Sequence, residues 1–299
     1  MNEPKFIELK TQDHLVLPGL LYEVSNSEKI AINIHGNGSS SIFYDESEHR
    51  MLPEALTNNG ISLLKFNNRG AHIIKKLNIN LKKIKKDRKS YGCAYEIIKE
   101  CVLDIDGALD FVKSLGYKEF YLMGKSTGAN KICVYNHYKP KNEFSKYVLI
   151  CGGDDTGIYY DLLDDKMFFK LLNKSKEKIR KGEGEQIIEE LIKFDEILSN
   201  KGFFDVANPD GDYNCFPFSQ ALGLAKISER PLFRYFKEIN KSSLVVYGED
   251  DEYAWGEIPK LVNILKDLKP QFKYEIIKDA DHGFNGKEKE LAQIVSDWL

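Results

Sequence analysis

Short apolar runs alternate along the chain with longer segments whose apolar residues recur at helical spacing. Lys29–Ile34, Ile61–Phe66, Lys118–Met123 and Lys146–Ile150 have the length and composition of buried strands. Between the second and third of these runs, Ala94–Ser114 carries apolar residues with a helical period. Strands that alternate with helices of this length predict a parallel sheet with helices on both faces.

The two ends of the chain extend this pattern. Phe6–Thr11 and Leu15–Glu23 predict an antiparallel pair of strands before the first buried run. Near the other end, Ser243–Tyr247 and Phe272–Ile277 predict two more strands, and Lys287–Leu299 predicts a closing helix. The fold class is therefore α/β.

The alternation breaks between residues 154 and 239, where the pattern is charged and helical and contains no good buried strand. Glu185–Leu198 is the clearest predicted helix of this stretch. The simplest organisation is one α/β core domain formed by residues 1–153 and 240–299. Residues 154–239 would then form a helical insertion after the strand Lys146–Ile150.

Composition and charge narrow the class of protein. Hydrophobic residues make up 42% and charged residues 30% of the 299 positions, which is typical of a globular protein with a sizeable core. The formal net charge of −3 gives no electrostatic reason to expect nucleic acid or an anionic membrane as a partner. No apolar run reaches the length of a transmembrane helix. We therefore expect a small molecule as the main partner.

The cysteines and the N-terminal residues indicate the cellular compartment in which the protein is expected. The five cysteines are scattered, form no CxxC and show no paired histidine spacing, so free thiols in a reducing cytosol are the simplest interpretation. Met1–Lys5 leads into no apolar segment of the secretory type. The sequence accordingly predicts a cytoplasmic protein, and it leaves the oligomeric state open, with a dimer as one option.

A basic run covers residues 75–89, with seven lysines and one arginine against a single acid, Asp87. Such runs are usually solvated loops. The alternative is that this run lines the entrance of a site and favours acidic or phosphopantetheine-linked substrates, in which case activity would fall with salt.

Ser126 lies between a predicted strand and a predicted helix in the sequence Gly124-Lys125-Ser126-Thr127-Gly128. A sharp strand-to-helix turn strains the backbone of the serine, and neighbours with side chains would clash there. The turn also places the hydroxyl at a helix N-terminus, where free N–H groups stabilise an anion. The pattern indicates a nucleophile; the competing interpretation is a glycine-rich turn without chemistry.

A nucleophilic serine needs a base and an acid that orients it. His282 lies in a loop just past a predicted strand and is the candidate base. Asp251 follows the strand Ser243–Tyr247 and is the candidate acid, although its neighbour Asp250 is not excluded. The other histidines are interpreted as structural, packing or surface residues, with His72 an outside candidate: His14, His35, His49, His72 and His137.

An oxyanion hole requires two backbone N–H groups that point at the developing negative charge. Thr127, directly after the nucleophile, would supply one of them. The loop His35–Gly38 would supply the other, with Asn37 favoured, because its small residues let the backbone approach the substrate.

Five motifs in chain order resemble the α/β-hydrolase superfamily. They are His35–Gly38, Asn67–Gly70, Gly124–Gly128, Gly248–Asp251 and Asp281–Phe284. The resemblance implies a mostly parallel sheet of about eight strands and a triad in the order Ser…Asp…His. It also implies Ser126 as nucleophile, Asp251 as acid, His282 as base, and Asn37 and Thr127 as oxyanion donors.

The resemblance further implies that residues 154–239 form a cap, which usually selects the substrate. Hydrolysis of a carboxylic ester without metal or organic cofactor is the leading function. An acyl-thioesterase would use the same residues, and a catalytically inert ligand-binding protein on the same fold is the alternative of another class. The inert protein would be expected to have lost part of the triad. Acyl-chain length, alcohol and pathway stay open.

Overall fold

The central feature of the fold is one eight-stranded sheet with the strand order β1-β2-β4-β3-β5-β6-β7-β8. The computed structural model describes residues 3–38, 40–44, 46–77 and 89–299. The strands are β1 Lys5–Lys10, β2 Val16–Tyr22, β3 Lys29–Ile34, β4 Ser62–Phe66, β5 Glu119–Lys125, β6 Lys146–Ile150, β7 Ser242–Gly248 and β8 Lys273–Ile277. The pairs β1–β2 and β2–β4 are antiparallel and all others are parallel. The predicted α/β fold class is confirmed.

Ten α-helices in the described part of the chain connect or cover these strands. They are α1 Glu46–Asn58, α2 Cys101–Ser114, α3 Thr127–Tyr138, α4 Asp155–Arg180, α5 Glu189–Ile192, α6 Asn200–Ala207, α7 Phe218–Ala221, α8 Arg234–Glu238, α9 Ile258–Leu268 and α10 Glu288–Trp298. The central strands are buried over nearly their whole length, as expected for a sheet covered on both faces. Among the described residues, no helix combines the length and the apolar character needed to cross a membrane.

The Asn67–Gly70 motif forms a buried connection directly after β4. The side chain of Arg69 donates to Asp104 Oδ1 through Nε at 2.9 Å and through Nη2 at 2.8 Å, and the Arg69 amide donates to Asp104 Oδ2 at 2.9 Å. Asn67 Oδ1 accepts a hydrogen bond from the amide of Ile42 at 2.8 Å. The motif therefore ties β4 to α2 and to the loop after β3.

Two predicted helices have different bounds in the structure. Instead of one helix over Ala94–Ser114, two short 3-10 turns precede α2, which begins at Cys101. The predicted helix Glu185–Leu198 is wrong except for α5. There the chain folds back on itself, because the Ile188 amide donates to Leu198 O at 2.9 Å and Ile187 forms a bridge with Ser199. This fold-back buries Ile188, Leu191 and Leu198 of the apolar pattern and leaves Ile192 and Ile197 exposed.

The segment from α4 to α8 lies between β6 and β7 and packs on the core. Phe216 lies against Gly152, where a Cβ atom would come within 2.5 Å of its ring. Tyr213 donates through its hydroxyl to Glu96 Oε2 at 3.0 Å, and Glu96 forms an ion pair with the fully buried Lys131 at 2.7 Å. The segment is thereby anchored beneath α3. Its description as a separate cap domain of residues 154–239 stays a prediction.

Candidate active site

Ser126 occupies the turn between β5 and α3. Its backbone has φ 57° and ψ −132°, a conformation that non-glycine residues rarely adopt and that costs on the order of 1–3 kcal/mol. A Cβ at Gly124 would overlap Gly128 O, and one at Gly128 would overlap Ile34 O. Both glycines of the motif are therefore required for the close approach of β5, α3 and β3. The predicted strained turn is present.

The turn is held by backbone bonds that leave its side chain exposed to the cavity above the sheet. The Ser126 amide donates to Ile150 O at 2.8 Å, and the amide of Ala129 donates to Ser126 O at 2.8 Å. The hydroxyl lies in the wall of a cavity that His282 also lines. Within the described part of the chain, Ser126 and His282 are not joined by a direct hydrogen bond. They share a cavity in which the serine hydroxyl is the candidate nucleophile.

His282 and Asp251 are in direct contact. Nδ1 of His282 lies 2.9 Å from Asp251 Oδ2, and the carboxyl is almost fully buried. Asp251 Oδ1 accepts from the amide of Tyr253 at 3.0 Å, which fixes the carboxylate. The ring of Tyr253 meets the imidazole edge-on at 4.8 Å, and Glu252 Oε2 accepts from the His282 amide at 3.0 Å. Asp250, by contrast, is exposed. The structure thus joins Asp251, not Asp250, to the histidine.

His35 holds the loop that faces Ser126. Its Nδ1 lies 2.9 Å from Gly36 O, and its Nε2 accepts from the amide of Asn68 at 3.1 Å. This arrangement assigns the proton to Nδ1 of a neutral ring. Burial, helped by the Lys131 ammonium, lowers the pKa of His35 well below its usual value. The predicted structural role of His35 agrees with these contacts.

The same loop comes into contact with the serine turn. A Cβ at Gly36 would lie 2.9 Å from Ser126 Cβ, so glycine is needed there. Asn37 and Thr127, the two predicted oxyanion donors, both line the cavity beside Ser126. Thr127 is the first residue of α3, where backbone N–H groups lack helical partners. Their assignment as donors stays a prediction.

The remaining histidines with described side chains lie outside the cavity wall. His72 Nδ1 lies 2.6 Å from the Tyr44 hydroxyl, and His137 Nδ1 lies 2.6 Å from Glu238 Oε2. Of these, only Tyr44 lines the cavity. These contacts favour His282 over His72 as the base.

The cavity has a volume of about 580 Å³. Lys65 of β4 and Lys125 of β5 lie in its wall on the side of the sheet. Asp155 and Glu196, from the segment after β6, line it as well. Sequence reasoning missed both carboxyls because they lie in residues 154–239, where no sequence motif indicates which side chains reach the cavity. The cavity therefore carries basic side chains from the strands and acidic ones from the insertion.

Asp155 contacts Thr127, the residue directly after Ser126. Its carboxyl oxygens accept from the Thr127 hydroxyl at 3.2 and 3.1 Å, and Oδ2 accepts from Asn130 Nδ2 at 3.3 Å. Burial raises the pKa of Asp155 to about 7, with a smaller contribution from Asp154 and opposing ones from Thr127 and His282. Perturbed carboxyls of this kind are typical of functional sites.

One group of potential metal ligands occurs among the described residues, namely Cys151, Asp251 and His282, whose ligand atoms lie within 4.8 Å of one another. Burial raises the pKa of the Cys151 thiol well above its usual value, and the Asp251 carboxylate makes a smaller contribution in the same direction. A protonated thiol is a poor metal ligand. Asp251 and His282 are already paired, so the group fits a hydrogen-bonded pair better than a metal centre.

Most of the basic run 75–89 lies outside the described residues. At its start, Lys75 Nζ donates to Asn68 O at 3.0 Å, and burial lowers its pKa to about 8. At its end, Lys89 lies 3.5 Å from Glu100 Oε1. Neither lysine lines the cavity. The hypothesis that the run recognises an anionic substrate stays a prediction.

A family model described as "Protein of unknown function (DUF1749)" matches residues 57–298. The chain belongs to this family. The match spans β4 to α10 and so contains Ser126, Asp251 and His282, while β1, β2 and β3 precede it. A comparison of this DUF1749 protein with curated proteins found no match.

Solved structures similar to this DUF1749 protein carry esterase names. The Pyrococcus furiosus esterase Pf2001 is 19% identical with a TM-score of 0.59, over 99% of this chain and 90% of that one. Est1E from Butyrivibrio proteoclasticus with bound ferulic acid is 14% identical with a TM-score of 0.61, over 97% and 96%. Carboxylesterase CesB from Bacillus subtilis is 15% identical with a TM-score of 0.57, over 100% and 92%. At these identities the likeness establishes the fold, and the predicted α/β-hydrolase fold is confirmed.

Proposed function

We propose that the protein is a serine hydrolase that cleaves carboxylic esters through an acyl-enzyme on Ser126. The observation that carries the proposal is the 2.9 Å contact between His282 Nδ1 and Asp251 Oδ2 beside a cavity that Ser126 also lines. The strained serine turn and the esterase names of the similar structures support it.

Acylation begins when Ser126 Oγ attacks the carbonyl carbon of the ester. Because Nδ1 of His282 donates to Asp251, Nε2 is left to accept the proton of the hydroxyl. The carbonyl electrons move to the oxygen, and the amides of Asn37 and Thr127 stabilise the oxyanion. One such donor is typically worth on the order of 10²–10³ in kcat. The tetrahedral intermediate then collapses, the bond to the alcohol oxygen breaks, and His282 protonates the leaving alcohol.

Deacylation repeats these steps with water. His282 takes a proton from the water, whose oxygen attacks the acyl carbon, and the intermediate expels Ser126 Oγ, which regains its proton. Asp251 keeps the imidazole oriented and stabilises its charged form throughout. The proposed steps need no metal ion or organic cofactor.

The cavity bounds the size of the substrate. Its volume of about 580 Å³ is within the range of small-molecule pockets, roughly 300–1,000 Å³. Apolar contacts would come from Ile42, Ile158 and Leu162, and aromatic ones from Tyr159 and Tyr253. A small acyl ester therefore fits this site.

A fluorophosphonate probe tests the nucleophile directly. We expect the wild type to be labelled and Ser126→Ala to remain unlabelled, while Ser114→Ala, at an exposed serine at the end of α2, is labelled like the wild type. Equal labelling of wild type and Ser126→Ala would overturn the proposal and favour the inert binding protein. Rates on short p-nitrophenyl esters and on matched acyl-thioesters then separate esterase from thioesterase.

A further inference from the structure

Asp155 is a carboxyl in the wall of the candidate active site that the proposed reaction does not use. It opens α4, the first helix of the insertion, and it lines the cavity together with Ser126 and His282. Its position therefore lets it contact a substrate bound at Ser126.

The carboxyl of Asp155 is held in place. It accepts from the Thr127 hydroxyl, and from Asn130 Nδ2 at 3.3 Å. Asn130 is itself fixed, since Nδ2 also donates to Gly153 O at 2.8 Å and Oδ1 accepts from the Gly153 amide at 3.2 Å. A carboxyl held by several hydrogen bonds presents its charge at a defined place, as specific recognition requires.

Asp155 and Glu196 have no cationic partner within ion-pair distance in the described part of the chain. Glu196 Oε2 accepts only the neutral Tyr159 hydroxyl, at 2.9 Å. When they are ionised, these two carboxyls are therefore hydrogen-bonded to neutral groups but left without an ion pair in the described part of the chain.

The basic side chains of the cavity come from the other wall. Lys65 and Lys125 belong to β4 and β5, and Lys125 Nζ donates to Gly283 O at 3.0 Å. Above pH 7, where Asp155 is ionised, the insertion thus offers a negative surface to a ligand in the cavity. A cation there would be attracted by a carboxylate in a region partly shielded from water, where charges interact more strongly than in bulk solvent.

We propose that Asp155 is a specificity-determining residue that selects ester substrates carrying a positively charged ammonium group. The inference rests on the proposed ester hydrolysis at Ser126 and adds the chemical class of the substrate. The ammonium group contacts Asp155 on the side of the insertion, while the ester carbonyl lies at Ser126. Glu196 contributes a second negative charge to the same wall.

Matched ester pairs test the charge preference without a change of shape. For the alcohol side, acetylcholine is compared with 3,3-dimethylbutyl acetate. For the acyl side, the p-nitrophenyl ester of 4-(trimethylammonio)butanoate is compared with that of 5,5-dimethylhexanoate. At pH 8, where Asp155 is ionised, we expect wild-type kcat/KM to be at least about fivefold higher for the cationic member of at least one pair, as one partly shielded ion pair of roughly 1 kcal/mol would give.

Asp155→Asn keeps the shape and the acceptor oxygen but removes the charge. We expect it to reduce the ratio of cationic to neutral kcat/KM to about one, whereas Asp165→Asn, at an exposed acid of α4, keeps the wild-type ratio. A measurement on the wild type alone gives a second readout, because choline should inhibit hydrolysis of the neutral ester more strongly than 3,3-dimethylbutanol does.

Two results would overturn the proposal: no preference for the cationic member in either pair, or a ratio that Asp155→Asn leaves unchanged. Fluorophosphonate labelling of the wild type and of Asp155→Asn separates this failure from failure of the hydrolase itself. Labelling at Ser126 with an unchanged ratio contradicts only the role of Asp155. A wild type that the probe does not label contradicts the proposed function.

Discussion

Asp251 and His282 lie in the loops after neighbouring parallel strands, and 2.9 Å separates the carboxyl oxygen Oδ2 from the ring nitrogen Nδ1. The preceding residue of the first loop, Asp250, instead faces outward, and its amide donates to Ala280 O at 2.9 Å. Adjacent carboxyls in one turn thus have different environments.

These environments predict unequal effects of removing each charge. Asp251→Asn should lower kcat on a p-nitrophenyl ester by about 10³–10⁴-fold, because an amide no longer holds the imidazole in the productive tautomer. Asp250→Asn should stay within about twofold of wild type. Steady-state kinetics of both variants is the measurement, and similar losses in the two would show that the acid is misassigned.

The position of Gly36 against Ser126 predicts a second kinetic effect. Gly36→Ala would bring a methyl group to 2.9 Å from Ser126 Cβ and 3.3 Å from its hydroxyl. The serine or the loop must then move, and we expect kcat to fall about ten- to a hundredfold. Gly153→Ala is the control, since its nearest neighbour would be Cys151 O at 4.0 Å. A wild-type rate for Gly36→Ala would contradict the proposed approach of loop and serine.

The carboxyl of Asp155 makes stability depend on pH. Its pKa of about 7 in the folded chain lies above its ordinary 3.8, so the folded state binds more protons than the unfolded state between these values. The stability that this group contributes is present at low pH and is lost as pH rises through 7. Asp154 adds to the shift, and Thr127, His282 and Lys131 oppose it.

Asp155→Asn removes this pH dependence. Relative to wild type, the variant should gain on the order of 2 kcal/mol in free energy of unfolding between pH 5 and pH 8, a value reduced because part of the carboxyl faces solvent. Urea unfolding of both proteins at the two pH values measures the gain. A constant difference across this range would mean that the carboxyl is already ionised at pH 5.

The buried pair of Arg69 and Asp104 predicts an effect on stability. Its disruption should lower the free energy of unfolding while the folded protein keeps its activity. Both side chains are nearly inaccessible to water and share two hydrogen bonds between guanidinium and carboxylate. Arg69→Lys cannot reproduce this geometry, so we expect a loss of about 3 kcal/mol in free energy of unfolding. Lys113→Ala, at an exposed ion pair with Glu143, should cost less than about 1 kcal/mol. Equal losses would contradict the importance of the buried pair.

Sequence reasoning predicts the core of the fold well because buried parallel strands leave continuous apolar runs. It also names Ser126, Asp251 and His282, because each lies in the turn or loop that follows a strand at the same edge of the sheet. The choice between Asp250 and Asp251 needs the tertiary contact with the histidine, which no local pattern contains. The assigned roles, the expected small-molecule partner and the cytoplasmic location remain predictions.

The insertion is where sequence reasoning fails. Ile188, Leu191 and Leu198 repeat at helical spacing but are buried by a fold-back between Ile187 and Ser199. Asp155 and Glu196 belong to no motif, and their charge becomes informative only when both are found to line the same cavity as Ser126. The proposed substrate selectivity therefore depends on contacts between distant parts of the chain.

Two close approaches join the turn at Ser126 to β3 and to the loop that follows it. A Cβ at Gly128 would overlap Ile34 O, and one at Gly36 would press on Ser126 itself, so neither wall can shift without moving the other. Substitutions at Gly36 or Gly128 would therefore be poorly tolerated when a new substrate is selected. The insertion, which meets the cavity through side chains such as Asp155, is the part of the molecule that can change while the reaction stays the same.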